Sequence, residues 1–230
     1  MKKIALFASL FMAFTLNAQI KTEQVDSSWK QTYRAVATKT NNLKHTKLVA
    51  SFNYEKSQMN GEVWLKLQPH FYPTNTLVLD AKAMDIQEVA LVQGNTKRKL
   101  PYAYDSLQLL IGLFKTYTAK ESYTIYIKYI ARPNEFKGQG SEAIRDAKGM
   151  YFINPLGTDK EKPTQIWTQG ETEASSVWIP TIDQTNQKTT QEFYLTVPSK
   201  YVSLSNGLLV KQTDLKNGFR EDVWKMDLPH

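Results

Sequence analysis

The sequence predicts an all-β fold, a large and mostly antiparallel β-sandwich or saddle-shaped sheet. Three observations carry the prediction. Apolar and polar residues alternate with period two over many short runs, the pattern of strands with one dry face. Turn residues punctuate those runs, among them Gly94-Asn95, Asn206-Gly207 and Asn217-Gly218. No segment sustains a 3.6-residue apolar period with caps at both ends, so long helices are not expected.

Taken in chain order, "MKKIALFASLFMAFTLNA" (residues 1–18) reads as a secretory signal. Lys2 and Lys3 form its basic start, and Ile4 to Leu16 an apolar stretch too short to span a bilayer. Export to the periplasm, the cell surface or the medium is therefore expected, with a mature chain starting near Gln19. Residues 19–42 are polar and read as a lead-in, and residues 43–230 as one β-domain.

"LVASFNY" (48–54) is the first strand. "NGEVWLKLQ" (60–68) puts Val63, Leu65 and Leu67 on one face, and Asn60-Gly61 before them reads as a tight turn, because both residues tolerate positive φ. "NTLVLDA" (75–81), "IQEVALVQ" (86–93) and "LQLLIGLF" (107–114) follow, with "NTKRK" (95–99) read as a turn. "ESYTIYIKYIAR" (121–132) alternates most clearly: Tyr123, Ile125, Ile127 and Tyr129 share one face, and Thr124, Tyr126 and Lys128 the other. Residues 134–165 read as irregular loop, the kind of segment that tends to carry function. "QEFYLTVP" (191–198) and "VSLSNG" (202–207) complete the strands.

A hydrophobic fraction of 41% and an aromatic fraction of 12% suffice for a real core. The chain has no cysteine, which excludes disulfides, thiolate metal sites, cysteine nucleophiles and an anchor through an N-terminal cysteine. Its formal charge of +7 falls to +5 without Lys2 and Lys3 (+7 less 2), and the basic residues are dispersed. Nucleic-acid binding, which needs a clustered basic stripe, is not expected. Nor is a membrane span in the mature chain. The three histidines, His45, His70 and His230, lie far apart in sequence, and no H-E-x-x-H occurs. Spacing alone does not exclude a Ser-His-acid triad, but His45 and His70 read as strand-end residues. "GQG" (138–140) lacks the strand and helix that a phosphate loop requires.

One stretch departs from the alternation. In "IWTQGETEASSVWIP" (166–180), Gln169, Glu171 and Glu173 sit between Trp167 and Trp178 with small residues among them. Taken alone, these side chains read as hydrogen-bonding a strand-to-loop turn.

The run "GMYFINP", followed by "QIWTQGETEASSVWIPTIDQTNQKTTQEFYLTVPSKYVSLSNGLL", resembles the N-terminal β-domain of the aminopeptidase N-type (gluzincin) zinc metallopeptidases. "LVLDAKAMDIQEVAL" and "YTIYIKYIARPNEFKGQG" resemble the preceding strands, so the likeness spans residues 43 to 230. It implies a saddle of strands lying against a thermolysin-like catalytic domain, with the Q-x-E turn projecting into the active site. Carried over by position, Glu171 is similar to the acid that grips a peptide's free α-amino group, and Gln169 to the amide that contacts substrate beside it. Glu173 has no counterpart and is expected at the surface. Family members often place a proline soon after the aspartate of the "P-x-x-D" turn, whereas Gln184, Thr185 and Asn186 follow Asp183.

The resemblance places the family's zinc ligands and catalytic residues beyond residue 230. The expectation is thus an N-terminal, substrate-end-recognition part of an exported zinc aminopeptidase. Its substrate-binding residues are Gln169 and Glu171; this chain holds no catalytic residue, metal ligand or cofactor. Zinc is expected only in the full-length enzyme, and this polypeptide alone is expected to be inactive. The competing expectation is a non-catalytic secreted β-sandwich that binds peptides or proteins.

Overall fold

The computed structural model describes residues 37–138 and 146–230. The stretch read as a signal and the part of the expected lead-in up to residue 36 lie outside the described residues, as does most of "GQG". The strands are β1 (Asn41–Asn53), β2 (Gln58–Pro69), β3 (Thr74–Asp80), β4 (Met84–Gln93), β5 (Thr96–Lys99), β6 (Tyr102–Tyr104), β7 (Gln108–Tyr117), β8 (Tyr123–Ala131), β9 (Met150–Ile153), β10 (Gln165–Thr168), β11 (Thr190–Pro198), β12 (Leu208–Asp214) and β13 (Phe219–Met226). The first strand thus begins at Asn41, within the stretch read as lead-in. The helical elements among the described residues are 3-10 turns at Pro133–Glu135 and Ser175–Val177.

An eight-stranded sheet runs in the order β12-β13-β11-β1-β2-β8-β4-β5, with smaller sheets β3-β7-β6 and β10-β9. All pairings are antiparallel except β1 with β11. The expected all-β, mostly antiparallel architecture is what the chain forms. Its core joins the inner residues of β2 and β8 (Val63, Leu65, Ile125, Ile127) to those of β3 and β7 (Leu77, Leu79, Leu109, Ile111) in one apolar cluster.

Two bulges explain where the alternation blurs. Lys44 is skipped between the pairs Leu43–Leu67 and His45–Lys66, so Leu43 and Leu48, an odd number of positions apart, both reach the core. Gln87 is skipped in the same way between Ile86 and Glu88.

Three local readings are corrected. The first is Asn60-Gly61, which lies inside β2 rather than at a turn. The turn is at residues 54–57, where Asn53 Oδ1 accepts the Lys56 N–H at 3.0 Å and Ser57 takes a φ of 52°. Gly61 is needed for a different reason: a Cβ there would lie 2.4 Å from Tyr129 Cζ on the neighbouring strand. The second is "NTKRK", whose last four residues form the edge strand β5; they are wholly exposed and so lack a dry face to show in sequence. The third is "VSLSNG", which is a loop with Val202 and Leu204 pointing outward. Ser203 is held inward instead, donating to Asp222 Oδ2 at 2.5 Å and accepting from Trp224 Nε1 at 3.0 Å. Strands β6, β9, β10, β12 and β13 also escaped the sequence reading, β9 because it sits within the stretch read as irregular.

Candidate functional site

The "QIWT" residues of β10 pair with β9, and Gln169 N–H extends the ladder by donating to Gly149 C=O at 2.9 Å. Alternation turns Ile166 to the core, while Trp167 stacks on Tyr151 (4.3 Å, 12°) and stays 44% exposed. Beyond Gln169 the chain leaves the sheet and returns through the 3-10 turn at Ser175–Val177. Gly170 occupies the middle of the motif where a Cβ would come within 2.6 Å of Ser175 Oγ.

The turn is pinned from several directions. Ala174 N–H donates to Gly170 C=O at 2.9 Å, closing the loop on itself. Ser176, fully buried, has its N–H on Asp183 Oδ2 (2.8 Å), its hydroxyl on Glu173 C=O (3.3 Å) and its C=O accepting from Lys82 N–H (2.8 Å). Lys82 Nζ donates to Glu173 C=O at 2.5 Å. Asp183 N–H in turn donates to Asp80 Oδ2 at 2.9 Å, and Asp80 exchanges backbone bonds with Thr181 at 2.8 and 3.0 Å. Burial pushes the Asp183 carboxyl above the ordinary range, opposed by the Ser176 N–H and by Lys82. From the core side, Tyr129 OH donates to Trp178 C=O at 3.0 Å. Gly149, with φ +68°, permits the close approach, since a Cβ there would meet Ala174 O at 1.9 Å.

What this scaffold presents is Glu171, exposed at the tip, with Gln169 half-buried beside it. Among the described residues neither side chain has a hydrogen-bond partner within the chain. Glu173 is also exposed, as expected. The flanking tryptophans pack elsewhere: Trp178 edge-on against Phe193 (6.3 Å), and Trp167 on β10 against Tyr151. Next to the turn runs an apolar groove of about 1070 Å³, walled by Phe52, Met59, Ile166, Trp178, Phe193 and Tyr201. The indole Nε1 of Trp178 is buried without a partner.

The sequence reading missed Lys82, Asp80 and Ser176 because each acts through contacts remote in sequence. Asp183 was visible in the motif, but the role of its side chain was not.

An exposed carboxylate holds a cation weakly, by about 0–1 kcal/mol. The same charge-assisted bond in a dry cleft is worth about 1.5–3 kcal/mol. A carboxylate as exposed as that of Glu171 would therefore hold a cation more strongly once a second surface covered it.

Among the described residues no histidine hydrogen-bonds to this turn, although His230 lines the same groove as Gly170 and Ser175. His45 Nδ1 lies 2.7 Å from Thr190 Oγ1 and its Nε2 3.9 Å from Glu192, on the β1–β11 surface. Burial lowers its pKa, against the pull of Glu192. Thr190 already donates to Lys44 C=O at 3.3 Å, so the constellation is a strand-surface pairing. His70 lies against Phe71 at 4.1 Å, and His230 beside Asn206 at 3.2 Å. Among the described residues no group of three or more His, Cys, Asp or Glu side chains could hold a metal ion. These residues do not fit a zinc centre, and no chemical step on this chain is assigned to one. No helix among them is long and apolar enough to cross a membrane.

The match to the Peptidase M1 N-terminal domain over residues 15–230 makes the chain a member of that family. Among solved structures it is similar to a two-domain M1 zinc metallopeptidase bound to L-tryptophan, at 16% identity and a TM-score of 0.69, covering 86% of this chain and 42% of that one. An M1 zinc metallopeptidase from Deinococcus radiodurans gives 15% identity and a TM-score of 0.69, with 86% and 41% covered. Aminopeptidase A from Legionella pneumophila in complex with aspartic acid gives 17% and 0.62, with 86% and 21% covered. At such identities the likeness shows the fold. A comparison with curated proteins by sequence finds no match. The chain thus spans less than half the length of the metallopeptidases it matches.

Proposed function

We propose that this chain is the substrate-end-recognition domain of an exported zinc aminopeptidase, in which Glu171 clasps the free α-amino group of a peptide and Gln169 contacts substrate beside it. Family membership supports the reading. The single observation that carries it is the placement of Glu171: exposed at the tip of a turn whose backbone is tied to Gly149, Asp183 and Lys82. A protonated peptide N-terminus is a compact cation, and a carboxylate that holds it fixes how far the chain reaches toward the scissile bond. Specificity for the free end follows, while bond chemistry belongs to a partner catalytic domain of thermolysin type, where zinc and a general base would act. The apolar groove beside the turn offers that partner a surface that would also dry the carboxylate. The signal at residues 1–18 supports action outside the cytoplasm.

In the enzyme carrying this domain, Glu171→Ala is expected to raise KM for free-amine peptides roughly tenfold to a hundredfold, with kcat changed far less. Discrimination against N-acetylated peptides should weaken in parallel. Steady-state kinetics on both peptide forms checks this, and wild-type KM values with intact discrimination would remove the assignment. The competing reading, a non-catalytic peptide-binding sandwich, predicts peptide binding indifferent to acetylation.

A further inference from the structure

We propose that Asp183 and Lys82 are positioning residues for the amine site: they aim Glu171 by fixing the backbone of its turn. The inference rests on the reading of Glu171 given above and deepens it. Both legs of the turn are tied. On the entering side, Gln169 N–H is bonded to Gly149 C=O at 2.9 Å. On the returning side, Lys82 Nζ holds Glu173 C=O and Asp183 holds Ser176 N–H, at 2.5 and 2.8 Å. The stretch between these ties is the tip that carries the acid. Among the described residues nothing tethers the Glu171 side chain itself, so its direction is inherited from the backbone anchors.

The anchors are themselves fixed to the sandwich. Lys82 lies two residues past the end of β3, and its own N–H donates to Ser176 C=O at 2.8 Å. Asp183 is held through its N–H by the carboxylate of Asp80, the last residue of β3, at 2.9 Å. Ser176 is wholly buried, so its bonds to Asp183 and to the Lys82 N–H are shielded from competing water, while the Lys82 Nζ bond to Glu173 C=O lies at the surface. The groups facing the Asp183 carboxyl are Asp80, Lys82 and Ser176, one acid, one cation and one donor. The arrangement transmits the geometry of β3 to the tip of the acid turn. Displacing a substrate-holding group by about 1 Å can cost a hundredfold in rate, which sets what such a clamp is worth.

Two measurements test it. In the 230-residue chain, amide hydrogen exchange at Ser176 should quicken roughly tenfold or more in Asp183→Ala, the loss expected for a bond to a charged acceptor. Asp183→Asn, which keeps an acceptor oxygen, should retain protection. Lys82→Met keeps the backbone N–H that bonds Ser176 C=O and removes only the Nζ bond to Glu173 C=O, so it should quicken exchange at Ala174, whose N–H shares that peptide unit and closes the turn on Gly170 C=O, without unfolding the core; it carries the test if Asp183→Ala does not fold. In the enzyme carrying the domain, Asp183→Ala or Lys82→Met should raise KM roughly tenfold with kcat much less affected, and Asp183→Asn should restore it.

Unchanged exchange at Ser176 in Asp183→Ala and at Ala174 in Lys82→Met would overturn the clamp. So would faster exchange with an unchanged KM, since the turn would then be loose without consequence for substrate. If Glu171→Ala itself leaves KM unchanged, the amine-site reading fails, and the exchange data still decide whether the clamp exists.

Discussion

Gly61→Ala is expected to destabilise the domain by about 2–5 kcal/mol, the sum of overpacking a tight core and breaking a buried hydrogen bond. The new methyl would sit 2.4 Å from Tyr129 Cζ and 2.6 Å from its hydroxyl. Tyr129 is 1% exposed and cannot swing to solvent. If it shifts within the core, its bond to Trp178 C=O is lost, and with it the tie between β8 and the segment that follows the acid turn. Urea unfolding should show a lower midpoint at unchanged slope. Tyr129→Phe alone should cost about 1–3 kcal/mol by leaving the Trp178 carbonyl without its donor. Gly61→Ala in a Tyr129→Ala background should cost much less than in the wild type, because the clash partner is gone. Equal costs in the two backgrounds would show that the glycine serves backbone freedom and not the ring.

Asp222→Ala is expected to cost about 3–5 kcal/mol, the range for removing one partner of a buried ion pair. Asp222 is fully buried and accepts from Arg220 Nε (2.6 Å) and Nη2 (2.9 Å), Ser203 Oγ (2.5 Å) and Gln212 Nε2 (2.9 Å). Arg220 continues to the carbonyls of Ser199 and Tyr201, at 3.2 and 3.0 Å. One carboxylate therefore organises the loop that walls the groove. Converting Arg220 to methionine in the same chain should recover part of the loss, because no half-buried guanidinium is then left without its carboxylate.

The same group fixes a pH dependence. The Arg220 guanidinium, with help from Ser203 and Gln212, holds the Asp222 carboxyl down to about 2, against the penalty of burial. An acid whose pKa is depressed on folding stabilises the protein fully above its unfolded pKa, about 3.9. That contribution should fade as pH falls from about 4 toward 2, and Asp222→Ala should lack this part of the acid transition. Asp183 works in the opposite sense. Its raised pKa means that ionising it costs stability as pH climbs through the folded value, so the two acids leave distinguishable marks on the pH profile.

How far the sequence carried these conclusions differs from residue to residue. Val63, Leu65 and Leu67 announce a dry strand face by alternation alone, and all three are fully buried. Tyr123, Ile125, Ile127 and Tyr129 do the same. Tyr126 alternates to the other face and is nevertheless 2% exposed, because Lys97 lies over its ring at 3.1 Å and its hydroxyl donates to Glu62 at 2.7 Å. Cover supplied by a remote lysine leaves no periodic trace. Gly61 misleads for a related reason: its neighbours in sequence suggest a turn, while its reason for being glycine stands on another strand. "VSLSNG" alternates as a strand would, yet its serines and not its apolar residues face inward. The roles expected of Gln169 and Glu171 rest on family resemblance and not on composition. The clamp behind them joins residues 80–82 to 173–183 and is visible only once the fold brings them together.

The most direct measurement is a crystal structure of the enzyme carrying this domain with a free-amine peptide bound. The account predicts a Glu171 carboxylate oxygen about 2.7–2.9 Å from the peptide's α-amino nitrogen, with the Gln169 amide against the first residue. A peptide whose amine is held by other groups, with Glu171 still facing bulk water, would contradict it.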